Sequence, residues 1–391
     1  MKSVVPYPVI IIGFALFAML FGASNLIFPI EVGATAGSHL LAASLGFLLT
    51  AVFLPFTGLV TMMLFDGNYR EFFQRVGKKS GDFLIFLCML IIGPLVGIPR
   101  IILLAHRMLT SFVPINLVLF SVLFLLVALL CALSVDNLVK ILGYFFGPLI
   151  MVLLGIFIVK GFLRSEPGSL VPADSWHVFV SNVKYGFSTL DLLGALFLGS
   201  LLLTMLKQTV KYVSPVYLPN FALTCVKGGL VGSVLMVGVY SALMYLSALH
   251  AGALSGVHAD LVFVALANSL VGSVGWPLIV VTVLVVCLST ALALISTVAH
   301  YVCADISRTH LGYVPSALLV SVISFVVSLL NIHYIERITY GPVALVLYPV
   351  IIMLMLCNLA YKTYGVRAIK IPVALTLLGS LSVYFYIVFL R

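Results

Sequence analysis

Leu20-Phe21-Gly22-Ala23-Ser24-Asn25-Leu26-Ile27-Phe28-Pro29 interrupts an apolar run that starts near residue 9. Gly and Asn lower helix propensity, and Pro29 removes the donor that the Asn25 carbonyl would otherwise receive. Backbone groups freed within lipid must find partners, so a break at membrane depth is tolerated only against protein or a water-filled cavity. A packing kink built from small residues at a helix crossing would leave the same mark.

The surrounding chain places this break in a membrane. Of 391 residues 63% are hydrophobic and only 8% charged, with a mean hydropathy of +1.29, whereas soluble domains carry about 25% charged residues. A spanning helix needs roughly 20 apolar residues at about 1.5 Å rise each. The chain divides into about eleven such segments, at about 9–30, 40–65, 83–106, 117–133, 141–160, 186–206, 223–249, 276–303, 314–330, 341–360 and 371–390. None shows the ten-residue alternation of a membrane barrel. The first is expected to be a retained helix rather than a signal peptide, being too long and lacking a small-residue cleavage site.

A formal charge of +9 could point to nucleic acid, but the basic residues are scattered over short loops rather than gathered in a stripe. They report orientation. With a cytoplasmic N-terminus, that side holds Lys2, Arg70, Arg75, Lys78, Lys79, Lys140, Lys207, Lys211, Lys227, Arg308, Lys362, Arg367 and Lys370, against Arg100, Arg107, Lys160, Arg164, Lys184, Arg337 and Arg391 opposite, as the positive-inside rule prefers. The longer loops, about 164–185 with Pro167, Pro172 and Trp176 and about 250–275, are then extracellular. Cys88, Cys131, Cys225, Cys287, Cys303 and Cys357 fall in or beside helices with no C-x-x-C pair and read as small packing residues. His250 and His258 are too loose a pair for zinc. No G-x-S-x-G, H-E-x-x-H or P-loop is present, so nothing supports an enzyme.

The sixth segment has a comparable weak point at Gly186-Phe187-Ser188-Thr189-Leu190-Asp191, with Gly194 following. An intramembrane acid costs about 2.5–3.5 kcal/mol on insertion scales and usually marks an ion or substrate path; alternatively Asp191 lies at the N-terminal edge of a helix, favoured by its dipole. Broken helices that open each half point to a transporter of inverted repeats. Gly147-Pro148 in the fifth segment and Gly341-Pro342 in the tenth support repeats over about 9–160 and about 186–360, with an extra helix at about 371–390, in one transmembrane domain. Free amides at a broken helix can hold a carboxylate and freed carbonyls a small cation. Ser289-Thr290 adds adjacent hydroxyls, oxygen donors suited to Na⁺, although such groups often bond back to a carbonyl one turn earlier.

At these residues the chain resembles the branched-chain amino acid:cation symporters, the LIVCS or BrnQ-type carriers with the LeuT-type five-plus-five inverted repeat. Leu20 to Pro29 resembles that family's F-G-A-G-N-L-I-F-P-P, Gly186 to Asp191 its G-Y-x-T-M-D, and Cys287-Leu288-Ser289-Thr290-Ala291 its C-L-T-T-A. Gly93-Pro94 through Ile98-Pro99-Arg100, and Pro342-Val343 through Leu347-Tyr348-Pro349, match further along the chain. The resemblance implies an all-α fold with helices 1 and 6 discontinuous. It implies Na⁺ held by the carbonyls of Ala18 and Phe21 and the hydroxyls of Ser289 and Thr290. The substrate carboxylate would face the amides near Ala23 and Ser24, with Asn25 and Thr189 close by. Asp191 is assigned to the substrate ammonium or a second cation, and Phe187 and Leu190 to an apolar side-chain pocket. Ser24 stands where the family has Gly, Ile30 where it has a second Pro and Ser289 where it has Thr; about eleven spans rather than twelve are expected.

The expectation is therefore a Na⁺-coupled importer of branched-chain or similar apolar amino acids in a bacterial inner membrane, with Na⁺ as coupling ion and no other cofactor. The alternatives are the same fold with another amino acid or proton coupling, and, in a different class, a channel or membrane receptor, which could not concentrate a solute. Arg100 is read as a snorkelling anchor in preference to a gate.

Overall fold

The computed structural model describes residues 8–133, 138–164, 175–210, 220–272, 275–306, 311–330 and 332–389. Lys2, Lys211, Arg308, Arg391, Pro167 and Pro172 lie outside them. Among the described residues all regular structure is helical.

The first apolar run forms two helices, α1 (Val9–Leu20) and α2 (Ala23–Thr35), bent by 79° where they meet. They are followed by α3 (Gly37–Leu64), the short α4 (Tyr69–Gln74), α5 (Lys78–Thr110), α6 (Leu117–Ala132) and α7 (Leu138–Leu163). The second half repeats the opening device: α8 (Ser175–Phe187) and α9 (Asp191–Gln208) are separated by Ser188, Thr189 and Leu190. Next come α10 (Phe221–Leu249), α11 (Ala259–Val271), α12 (Trp276–Ile306), α13 (Tyr313–Ser328), α14 (His333–Tyr364) and α15 (Lys370–Ile387). Among the described residues, eight helices are long and apolar enough to span a bilayer, nine with α1–α2 as one broken span. The expected eleven included α6 and α13, each of 16 residues and shorter than a perpendicular crossing of about 20 residues demands.

Two expectations about loops need correction. The stretch about 164–185 carries the helix α8, and that at about 250–275 carries α11 and a short turn of helix at Ala251–Leu254. Pro29 lies inside α2, which stays helical through it; the break instead falls at Phe21 and Gly22, both in extended conformation.

The broken helices are held at the centre. Both α1 and α2 pack on α10, α8 and α9 pack on α3, and α12 lies against α5, α6 and α13. Large side chains such as Leu123, Leu126, Leu130, Val322, Val326 and Leu378 are exposed, an apolar surface that a bilayer would cover.

The α1–α10 crossing is made by glycines. A Cβ on Gly228 would stand 2.9 Å from Ile12 Cβ, and one on Gly232 would stand 3.1 Å from the Gly13 carbonyl oxygen. This is the small-xxx-small pattern by which membrane helices approach closely. Gly228→Leu is expected to destabilise the protein by about 1–3 kcal/mol through overpacking. Gly238→Leu on the same helix, where nothing lies within 4 Å, should be neutral. Thermal unfolding of the two variants in detergent checks this, and equal melting temperatures would refute it.

Polar bridges stand on two opposite faces. On one, Asp305 at the end of α12 pairs with Arg70 and accepts from Tyr69, both on α4. Lys362 lies 3.5 Å from Glu71, and Arg75 donates to Asn358 Oδ1 at 2.8 Å. Burial, and then the bond to Asp305, push the Tyr69 phenol far above its ordinary pKa, so it remains a proton donor at any physiological pH. On the other face Arg107 of α5 pairs with Asp260 of α11. The short helix α4, after α3, thus meets the end of α12.

Candidate functional site

The two helix breaks face each other. At the first, Phe21 (φ −78°, ψ 94°) and Gly22 (φ −113°, ψ −168°) run extended, and no side chain caps α2. The opening amides of a helix have no intrahelical acceptor, so those of Ala23 and Ser24 are left for another partner. At the second, Leu190 adopts φ +63°, a left-handed conformation that costs a branched side chain about 1–3 kcal/mol and clusters at functional sites. That turn lets the chain end α8 and begin α9 at Asp191 with a change of direction. Asp191 is consequently both buried in the protein interior and in the first turn of a helix.

Side chains tie the breaks together. Asn25 Nδ2 donates to the Leu20 carbonyl at 3.0 Å, across the first break, and to Asp191 Oδ2 at 3.2 Å, across to the second. Thr189 Oγ1 donates to the Gly186 carbonyl at 2.9 Å and accepts from the Asp191 amide at 3.4 Å. Asn25 and Asp191 are 1% and 5% exposed. Thr290 Oγ1 of α12 donates to the Phe21 carbonyl at 3.0 Å, which joins the first break to the eighth apolar segment.

These groups line one cavity of about 60 Å³, room for a few water molecules. Its polar wall includes Ser24, Asn25, Arg100, Thr189, Asp191 and Thr290; its apolar wall includes Leu20, Ile92, Ile101, Leu190, Leu198 and Leu294. Of the expected substrate residues, Ala23, Ser24, Asn25, Thr189, Leu190 and Asp191 come together here. Phe187 does not line it: its ring packs, tilted, against that of Tyr348 with centroids 5.7 Å apart. Of the expected cation ligands, Phe21 and Thr290 are adjacent, whereas the Ser289 hydroxyl donates along its own helix to Val286 at 2.9 Å. Ala18 is buried outside the cavity lining.

Arg100 overturns the reading of it as a surface anchor. It is 5% exposed, lines the cavity, and donates to the Ser188 carbonyl at 2.9 Å and to the Tyr340 hydroxyl at 3.5 Å. Tyr240 went unnoticed in the sequence. Its ring stacks on Phe21 at 5.8 Å, and its buried hydroxyl lies beside Asn25 and Asp191. One tyrosine within an apolar helix carries no periodic signal that could have found it.

The family model for branched-chain amino acid transport proteins matches residues 7–387. The chain belongs to that family. Within the branched-chain amino acid transport proteins it is 30% identical over 355 residues to the branched-chain amino acid transport system 3 carrier protein of Pseudomonas aeruginosa, covering 88% of this chain and 79% of the relative. It is 28% identical over 374 residues to the branched-chain amino acid permease BrnQ of Bacillus subtilis, covering 93% and 83%. These relatives are carriers and permeases rather than enzymes. Among solved structures it resembles a nucleobase-cation-symport-1 family transporter with bromovinylhydantoin bound, at TM-score 0.59 and 15% identity over 97% of this chain and 93% of that one. It also resembles a Na⁺-coupled sialic acid symporter, at TM-score 0.55 and 12% identity over 96% and 89%. The fold is thus of the LeuT type, with helices 1 and 6 discontinuous.

Proposed function

We propose that this protein is a Na⁺-coupled symporter that imports branched-chain or similar apolar amino acids by alternating access around the cavity between its two helix breaks. The observation that carries the reading is the junction of the breaks, where Asn25 bridges Leu20 and Asp191. A buried carboxylate beside uncapped helix amides offers opposite charges to the ammonium and carboxylate of an amino acid. The surrounding Leu and Ile side chains suit an aliphatic side chain, and the relatives named above are branched-chain carriers. At about 60 Å³ the cavity is contracted, well below the roughly 300–1,000 Å³ of ordinary ligand sites. Its walls part to admit substrate as the polar bridges on one face or the other release.

The coupling ion is assigned to the Phe21 carbonyl and Thr290 hydroxyl, with Ser289 and the Ala18 carbonyl completing the set once the Ser289 rotamer turns. Binding there ties the first break to α12 and so favours substrate, and the coupling is reciprocal. The N-terminus is placed in the cytoplasm of a bacterial cell, with the Arg70–Asp305 face inward.

Radiolabelled leucine uptake into proteoliposomes under an inward Na⁺ gradient tests the proposal, against a K⁺ control and the Ser289→Ala/Thr290→Ala variant. Concentrative uptake is expected with Na⁺ alone, and a loss of about 5- to 150-fold in the variant, the usual size of such couplings. Uptake that ignores Na⁺ but follows an imposed pH gradient would replace Na⁺ by protons, with Asp191 as the carrier. Passive equilibration under either gradient would favour a channel.

A further inference from the structure

We infer that Arg100 binds the carboxylate of the transported amino acid; the inference rests on the amino-acid reading above and assigns one end of the substrate within that site. A guanidinium carries five N–H donors in a fixed fork, and Arg100 uses two of its nitrogens on neutral oxygens, the Ser188 carbonyl and the Tyr340 hydroxyl. Among the described residues no carboxylate lies within salt-bridge distance of it, although the charges of Asp191 and Glu31 lie within its field. A buried cation without a paired anion is costly, and this one lines the same cavity as Asp191.

The protein holds the guanidinium ready for an anion. The Ser188 carbonyl at the end of α8 is the negative end of a half-helix, and the rings of Phe28 and Tyr340 lie 5.3 and 5.9 Å from the guanidinium carbon. These contacts fix the side chain without neutralising it. A carboxylate takes two parallel N–H bonds from such a fork, the pairing for which arginine is best shaped. With Arg100 at one part of the wall and Asp191 at another, the cavity presents both charges of a zwitterion. The Ala23 and Ser24 amides then support the same carboxylate in a secondary role.

The test compares binding of leucine and leucinamide, which replaces the carboxylate by a neutral amide, to purified full-length protein by thermal-shift titration. A pH of about 6.5 keeps both amines charged. Wild type is expected to prefer leucine by about 10-fold or more, the scale of a charge-assisted bond. Arg100→Met should bind both about equally, and Arg100→Lys, which keeps the charge but loses the fork, should fall between. A merely structural role would weaken both ligands together and leave their ratio unchanged, so an unchanged ratio in either variant overturns the inference. If Arg100→Met does not fold, Arg100→Lys decides. Wild type that binds leucine without preferring it to leucinamide also overturns the inference while leaving the transport reading intact; wild type that binds no branched-chain amino acid sinks both.

Discussion

Asp191→Asn is expected to lower concentrative leucine uptake by about 30-fold or more while leaving the protein folded. The substitution keeps the shape of the side chain and an oxygen for Asn25 Nδ2, which now donates to the carboxylate at 3.2 Å. It removes only the charge. A hydrogen-bonded charge pair in a desolvated site loses about 2–5 kcal/mol when one partner is neutralised, which sets the scale of the loss. Stability should move the other way, because an ionised acid at membrane depth costs about 2.5–3.5 kcal/mol on insertion scales. Initial uptake rates in proteoliposomes, read beside the melting temperature in detergent, separate these effects. Uptake within about threefold of wild type, a difference under 1 kcal/mol, would remove Asp191 from the substrate or cation site.

Much of this arrangement was legible because glycine, proline and acid are conspicuous in an apolar chain. Gly22 marked the first break to within a residue, and Gly186 to Asp191 bracketed the second. Pro29 misled because one proline removes one hydrogen bond, a loss that α2 absorbs without ending. The helix α8 was hidden by its polar residues, among them His177, Ser181, Asn182 and Lys184. Two of these satisfy themselves within the helix, since Ser181 and Asn182 both donate to the Val178 carbonyl, at 2.9 and 2.8 Å. Side-chain direction was the harder matter. Successive residues on a helix point about 100° apart, so Ser289 and Thr290, adjacent in sequence, diverge: one bonds back to Val286 and the other reaches Phe21. The same geometry takes Phe187 to Tyr348 instead of into the cavity. Arg100 looked like an anchor because composition cannot tell that the α8 terminus and Tyr340 converge on it.

Gly22→Val is the second change expected to impair transport strongly, and its cause is space rather than backbone freedom. Gly22 lies at φ −113° and ψ −168°, an extended conformation that any residue can adopt. A Cβ there would stand 3.2 Å from Thr290 Oγ1, 3.3 Å from its Cγ2 and 3.4 Å from its Cβ. Alanine therefore requires a shift of a few tenths of an ångström between α2 and α12, and valine adds two more methyl groups in the same gap. The shift must loosen the contact of Thr290 with the Phe21 carbonyl, now 3.0 Å, on which the proposed cation site depends. Overpacking of about 1–3 kcal/mol predicts uptake reduced about 5- to 150-fold for Gly22→Val, with a smaller loss and a raised Na⁺ requirement for Gly22→Ala. Thr290→Ser removes the crowding methyl and keeps the hydroxyl, so Gly22→Ala/Thr290→Ser should recover Na⁺-dependent uptake that Gly22→Ala loses. Residues in contact are expected to show such non-additivity. Strictly additive losses in the double variant would mean that the glycine serves the opening of the break and not its contact with Thr290.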